Sequence, residues 1–483
     1  HRDLHSFPTR RSSDLLTASW KQSTQSADGT LRMTLPVLRG RSRDLAENND
    51  YVAGYLELLS NKVIGSTGIK LQSKSRGGDG KYDKDANTAI EKAFAAWGKR
   101  GVCDVTGRLS WVELQRLALI SAARDGEVFV RIIRKRGINR FNIALQVIEA
   151  DMVPVDKNDQ LAGGNTIRMG VELDQFDKPV AYHVFERHPG HNAFGLTAGK
   201  TIRIPAEDML HICRQLRPGQ TRGIPWTASV MTRLHHIGAY EEAAIINART
   251  GASKMGFFTR TGDAANMPGE YDTCGNLVNE VEPGSLETLP TGYDFKPFDP
   301  AYPSNEFDSF IKRQIKGASC GLPGASYADL SNDLESVSFS SIRSGTINAR
   351  DSYRVLQALM IEQLCDPVFV AWLDMALSFG QIAVVNGKRG PNSTLSVANF
   401  EKYNAAQFVG RGWDWVDPYK DQLANTEGLS NRTTTRTAIA AQQGNDFEDI
   451  LAELAREKEL AEAYGIELEQ LPSVAPAAAP VEE

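Results

Sequence analysis

Several groups of residues in this chain have types and spacings that could do chemistry, and each fails on its local context. Gly195-Leu-Thr-Ala-Gly-Lys-Thr201 has the look of a phosphate-binding loop, but it is one residue short between its glycines. Strand-like Ile202-Arg-Ile204 follows it, where a phosphate would need the N-terminus of a helix. A β-turn is the expected reading. Gly317-Ala-Ser-Cys-Gly321 matches the GxSxG pattern of serine hydrolases, which works when a strand delivers the serine onto a strained turn. Here an amphipathic helix precedes Ser319, and small residues at a helix end simply turn the chain; a fluorophosphonate label on Ser319 would be needed to revive the hydrolase reading. His235 and His236 lie mid-helix on adjacent faces, so they cannot chelate a metal as an i,i+4 pair would, and surface or interface packing is expected of them. Asp151, Asp174 and Asp177 fall in turns, where Asp bonds to local backbone. Nothing pairs them as general acid and base. The expectation is a protein that is not an enzyme, with no catalytic set, no cofactor and no metal.

Composition narrows the class. Of 483 residues, 41% are hydrophobic and 24% charged, ordinary for a globular chain and long enough for more than one folding unit. No unbroken run approaches the roughly 18 apolar residues of a membrane helix, so a soluble protein without a membrane partner is expected. Five cysteines are scattered with no CxxC, which argues against a disulfide framework or structural zinc and fits a reducing cytoplasm. Net charge is −6, with an isoelectric point near 5.9. A chain that grips DNA tightly carries a basic domain or stripe, and this one does not when taken whole. Any DNA contact should be weak, local or transient.

The elements that must position such residues can be read from periodicity. Residues 1–16 begin with His and contain His5-Ser-Phe-Pro-Thr-Arg-Arg-Ser-Ser-Asp-Leu15, which reads like a sequencing adapter translated in one frame. They are expected to be an artefact dispensable for folding and assembly; the alternative is a basic arm using Arg2, Arg10 and Arg11. Residues 17–50 are polar and Gly/Arg-rich, predicting an irregular arm. Tyr51, Tyr55, Leu58, Leu59 and Val63 recur at helical steps up to Gly65, and a strand is predicted at 69–72. Helices are expected over 85–99 and 110–124. A β-rich block then runs through 127–133, 143–148, 171–173, 180–184 and 202–204, closing an α+β domain near Cys213. A long helix to about Arg249 follows, with Val230, Leu234, Ile237, Ala244 and Ala248 as its apolar stripe and Gly251 as its stop. Residues 251–302 read as a small β or irregular excursion. From Ser304 to Ala318, Phe307, Phe310, Ile311, Ile315 and Ala318 share one helical face, and Lys312, Arg313 and Lys316 project from the opposite one. A polar loop spans about 322–340. A long helix over 342–377 is interrupted at Pro367 by the loss of a backbone donor. A short α/β piece, helices at about 430–443 and 446–464, and a disordered Pro/Ala tail complete the chain.

Five ordered segments then carry a resemblance: Arg43-Asp-Leu-Ala-Glu-Asn-Asn-Asp-Tyr-Val-Ala-Gly-Tyr55 with Asn61-Lys-Val-Ile-Gly-Ser66; Ile148-Glu-Ala-Asp-Met-Val-Pro154; Gly219-Gln-Thr-Arg-Gly223; Ser338-Phe-Ser-Ser-Ile-Arg343 leading to Leu364-Cys-Asp-Pro-Val-Phe-Val-Ala-Trp-Leu373; and Trp413-Asp-Trp-Val-Asp-Pro418. Together they resemble, from about residue 40 to 460, the portal proteins of lambda-like tailed phages. The resemblance implies an α+β portal fold: N-terminal arm and wing over 17–225, stem helices over 226–250 and 303–321 flanking a β-containing clip at 251–302, a tunnel loop at 322–340, a long helix at 341–380 behind it, a C-terminal wing or crown at 381–465 and a tail at 466–483. It implies a homo-oligomeric ring of about twelve copies, a heterologous cyclic interface. The ring would conduct double-stranded DNA at a capsid vertex during packaging, head–tail joining and ejection, after assembly in the host bacterial cytoplasm. The implied partners are the terminase large subunit, head-completion or neck proteins, and the major capsid or scaffold protein. Another head–tail connector or a minor capsid protein is the competing reading, though neither would need a β-rich excursion between two helices.

A duplex of any sequence must slide through such a ring, so phosphate contacts without base readout suit it. Under the resemblance, Lys312, Arg313 and Lys316 become candidate phosphate contacts; their alternative is the solvated face of a surface helix. Asn332, Asp333, Glu335, Ser336 and Ser338 become candidate tunnel-loop residues, with a disordered surface loop as the alternative.

Overall fold

The computed structural model describes residues 24–194, 199–252, 256–260, 270–271, 273, 277–278, 293–297, 307–333, 339–384, 393–413, 418–443 and 446–465. Segments 1–16 and 466–483, about which the sequence raised expectations, lie outside them.

The first element corrects an expectation. Residues within the anticipated irregular arm form helix α1 (Ala27–Asn48), capped by Ser26, whose hydroxyl accepts from the Gly29 amide. Its buried line is Ala27, Leu31, Leu35, Arg39, Ser42 and Leu45, a helical spacing. An arginine and a serine inside that line disguise the period. Next come α2 (Asp50–Leu59), a π turn at Ser60–Ile64 closed by Gly65 at φ +72°, and β1 (Lys70–Ser73). Helices α3 (Lys84–Trp97) and α4 (Trp111–Asp125) follow as the periodicity predicts, and Ser110 with Glu113 forms a capping box on α4.

Strands β2 (Glu127–Arg134) and β3 (Ile143–Ile148) lead into short β4 (Asp159–Gln160), β5 (Thr166–Arg168) and β6 (Val171–Leu173), then β7 (Pro179–Phe185), β8 (Thr201–Pro205) and β9 (Met209–Cys213). Two antiparallel sheets result, ordered β3-β2-β9 and β4-β5-β6-β7-β8. Phe129, Ile148, Val171, Tyr182 and Ile204 fill a small core there. Helix α5 (Met231–Ala252) starts five residues later than expected, after a turn at Trp226–Val230, and Gly251 sits within its last turn instead of ending it. Of the anticipated stripe, Val230, Leu234, Ile237 and Ala244 are buried, whereas Ala248 is exposed. In the excursion, β10 (Gly256–Arg260) pairs with β13 (Tyr293–Pro297), and β11 (Glu270–Tyr271) with β12 (Leu277–Val278). Helix α6 (Phe307–Ser319) returns. The polar stretch after it is not all loop: α7 (Tyr327–Ser331) forms within it, capped by Ser326 and Asp329 and seated through Leu330.

Helix α8 (Phe339–Met360) passes through a π turn at Ile361–Cys365 into α9 (Asp366–Ser378). The interruption expected at Pro367 is thus absorbed one turn earlier, by widened hydrogen bonding rather than a break. By length and composition Ser344–Ser378 is long and apolar enough to cross a membrane, and half of its apolar 18-residue window is buried inside the chain. There Phe369 and Trp372 stack edge-on against Phe94 at centroid distances of 5.8 and 5.0 Å. The remainder is β14 (Ala383–Val384), β15 (Ser393–Thr394), α10 (Phe400–Tyr403), β16 (Ala406–Val409), α11 (Pro418–Ser430), α12 (Arg436–Gln442) and α13 (Phe447–Ala463). Strand β16 pairs antiparallel with β1, Lys70 opposite Val409 and Ser73 opposite Ala406.

A buried ion cluster locks α1 to the sheets. Glu127, at the start of β2, accepts from Arg39, from Arg222 Nε at 2.7 Å, from the Gly223 amide at 2.7 Å and from His211 Nε2 at 2.8 Å. Arg222 also donates to the Val153, Met169 and Ala150 carbonyls. Arg43 bridges Asp125 and Asp151. Asp151 is therefore an ion-pair partner of α1 as well as a turn residue, while Asp174 accepts from the Phe176 and Lys178 amides as its turn position predicts. Burial would raise the Glu127 carboxyl, but the two guanidiniums and His211 overcome it and hold the group well below the carboxylate range. Burial would likewise lower His211; Cys213 and Glu127 prevail and push it up to about 9.

These shifts set the pH profile. Glu127 contributes stability above its ordinary 4.5 that is lost on acidification. His211 contributes stability that is complete below its ordinary 6.5 and is lost as pH rises through about 9. The thermal midpoint is expected to fall between pH 7 and about 9, and His211→Asn should flatten that limb. An unchanged alkaline limb in the variant would refute the assignment to His211.

Candidate nucleic-acid interface

Helices α5 and α6 lie against each other through Leu234 and Ile237 on one side and Ile311, Ile315 and Ala318 on the other, all buried. Tyr240 stacks on Phe307 with centroids 5.6 Å apart and meets Phe310 edge-on at 5.4 Å. The GxSxG-like glycines belong to this packing: a side chain on Gly317 would strike Arg233, and one on Gly321 would strike Val230. Ser319 is buried and donates from Oγ to the Lys316 carbonyl at 2.9 Å. It ends a helix and no strand delivers it, so the geometry lacks the exposed nucleophile elbow. Likewise β8 follows Gly199 and Lys200, with no helix N-terminus for a phosphate. His235 and His236 sit mid-α5 with ring centroids 5.8 Å apart. Among the described residues, no group of three or more His, Cys, Asp or Glu could hold a metal.

Two phenols tie the helix pair to the N-terminal unit. Tyr51 donates to Glu241 at 2.8 Å, and Tyr55 donates to the Pro323 carbonyl at 2.7 Å.

The basic residues of α6 are less uniform than their spacing suggests. Lys312 is partly buried and pairs with Asp308 at 3.0 Å and with Asp333 at 3.4 Å. The Asp308 bond is the main reason its ammonium is held above its usual value. Lys316 is exposed and its Nζ lies 4.9 Å from the centre of the Tyr327 ring. Arg313 is exposed. Asp333 also accepts from the Tyr327 hydroxyl at 2.7 Å, and Asn332, at φ +52°, ends α7. Lys312, Lys316, Tyr327 and Asp333 thus form one charged cluster that joins α6 to the start of the following loop. Glu335, Ser336 and Ser338 lie outside the described residues.

Two features escaped sequence reasoning. The anchoring of the loop after α6 by Tyr327, Asp329 and Tyr353 (whose hydroxyl lies 3.3 Å from Asp329) left no periodic signal. Nor did the Glu127 cluster, although its arginines and Gly223 sit within or beside the segments that carry the resemblance. The only available hint was Arg39 and Arg43, one turn apart on an otherwise polar stretch.

Residues 13–357 match the family described as "Phage portal protein, lambda family". A "Probable portal protein" of Halomonas phage phiHAP-1 is 36% identical over 448 residues, covering 92% of this chain and 84% of the relative. "Portal protein B" of Escherichia phage lambda is 21% identical over 489 residues, covering 93% and 88% respectively. Among solved structures, a chain from the virion of a native gene transfer agent particle aligns over 87% of this chain and 99% of its own, at 11% identity and a TM-score of 0.43.

Proposed function

The chain belongs to the lambda family of phage portal proteins, and from that premise we propose that it is the ring subunit through which duplex DNA enters and leaves the capsid at one vertex. The observation that carries this reading is the family match, running with the paired helices α5 and α6 and the β-containing excursion between them. In the proposed ring, α5 and α6 are the stem, the excursion is the clip facing the terminase large subunit and later the neck proteins, and the segment after α7 is the tunnel loop. The α+β block forms the wing, in contact with capsid or scaffold protein, and the C-terminal helices form the crown.

Exposed apolar side chains on the stem support contact between copies: Ile245 is 60% and Phe310 48% exposed in the single chain. Their burial would contribute roughly 25 cal/mol per Å² of apolar surface. For DNA, the pairing of Lys312 with Asp308 and Asp333 leaves Arg313 and Lys316 as the more exposed cations of α6. Repeated around a ring, they touch phosphates without accumulating a strong grip.

The test is twofold. Negative-stain images of the purified full chain are expected to show rings with a central hole; a lone globule removes the reading. Replacing 334–338 by a Gly/Ser linker, with Asn332 and Asp333 kept to hold α7 and Lys312, is expected to leave ring assembly intact but reduce packaged DNA. Normal packaging in that variant removes the tunnel-loop assignment while leaving the ring.

A further inference from the structure

A concentration of exposed positive charge also lies away from α5 and α6. It lies where the turn between β2 and β3 meets the loop after α3. Lys99, Arg100, Arg108, Lys135, Arg136 and Arg140 are all exposed there. The two segments are stitched together: Asn139 Nδ2 donates to the Val102 carbonyl at 2.7 Å, and Leu145 on β3 donates to the Cys103 carbonyl at 2.7 Å. Arg100 Nε donates to the Arg108 carbonyl at 2.6 Å, holding one edge of the patch. Arg136 and Arg140 are steadied by the end of α9, the first over the Phe379 ring at 5.9 Å and the second toward Gln381 at 3.4 Å.

The local acids are committed elsewhere. Asp104 is buried and accepts from Thr106 and from the Arg108 and Leu109 amides. Glu113 closes the capping box with Ser110. Among the described residues none of the six cations forms an ion pair. Six cations set against the two carboxylates Asp104 and Glu113 leave a local excess of positive charge on a chain of net charge −6. Four of the six are arginines, whose forked donors suit phosphate oxygens.

We propose that this patch is a second, sequence-independent phosphate-binding surface, which holds duplex DNA that has not entered the bore. It goes beyond the channel reading and uses none of the α6 residues. Its partner is the DNA backbone, not an acidic polypeptide, because a duplex carries one negative charge per about 1.7 Å of axis, denser than an extended acidic chain, and so better matches six clustered cations.

Covalently closed circular DNA tests it, since a closed circle cannot thread a closed ring. The full-length protein is expected to retain circles at low salt, with log affinity falling linearly against log salt. The quadruple variant R100Q/R108Q/R136Q/R140Q is expected to lose retention at least tenfold, each lost contact flattening the slope by about 0.9. The matching all-lysine set should restore much of it. K312Q/R313Q/K316Q should retain circles like the parent. The proposal is overturned if the parent does not retain circles, if the quadruple variant retains them equally, if the α6 variant loses them as strongly, or if polyglutamate competes as well as DNA does. Retention of circles by a protein that forms no ring would remove the channel reading and leave this surface standing.

Discussion

Glu127→Gln is expected to destabilise the full chain by about 3–5 kcal/mol, because it strands two buried guanidiniums. Arg39 and Arg222 are almost wholly inaccessible, and both converge on this one carboxylate. A carboxamide keeps the shape but removes the charge, and its amine end can only repel the donors of Arg222, His211 or Gly223. Chemical denaturation followed by circular dichroism would measure it. The exposed Arg354–Asp351 pair supplies the contrast: an exposed pair of that kind is worth about 0–1 kcal/mol. A change below 1 kcal/mol for Glu127→Gln would mean the cluster is hydrated or redundant, and its role as the lock on α1 would fall.

Gly223→Ala is expected to cost about 3 kcal/mol or more. A methyl at Gly223 would collide with the Gly126 carbonyl and with Glu127 Cβ. Gly126 itself sits at φ +90° with the backbone of Pro225 only 2.6 Å from where its own Cβ would stand. Two stretches of main chain pass in contact here, and main chain cannot rotate away as a side-chain tip can. Overpacking typically costs 1–3 kcal/mol; displacing this loop also pulls Arg222 from Glu127, so the upper end is expected. Gly219→Ala, with open space around its Cβ but φ +70°, should lose only the smaller backbone penalty, about 1 kcal/mol. Equal effects at the two positions would show that strain, not contact, governs this loop.

Much of the architecture was legible because single elements bury simple apolar faces. Helices α3, α4, α6 and α9 and strands β2, β3 and β7 each declare their period, whereas the interruption expected at Pro367 is replaced by a π turn at Ile361–Cys365. Legibility failed where a polar residue takes a core position. Arg39 occupies the fourth step of the buried line on α1, so the segment reads as an arm until Glu127, eighty-eight residues away, is known to neutralise it. Short strands β4, β5 and β9 are stabilised by neighbours distant in sequence and carry too little pattern to be seen alone. Spacing gave the basic face of α6, which the resemblance alone made a candidate DNA contact, and spacing could not show that Asp333 would claim Lys312, since that pairing depends on how α7 folds back. The resemblance segments meet a similar fate: Arg43, Asp151, Arg222 and Gly223 come from three of them and gather around Asp125 and Glu127. In this chain those segments meet at a joint between elements, in the interior.

The pairing of β1 with β16 has a consequence for biosynthesis. Until residues 406–409 leave the ribosome, Lys70–Ser73 has an open edge, and among the described residues no earlier segment supplies its partner. At translation rates of about 5–20 residues per second, the N-terminal unit waits many seconds with Leu71 uncovered, exposed to capture by the same strand of another nascent chain. Emergence of residue 409 is thus a condition for covering residues 70–73, far along the chain from where they are made.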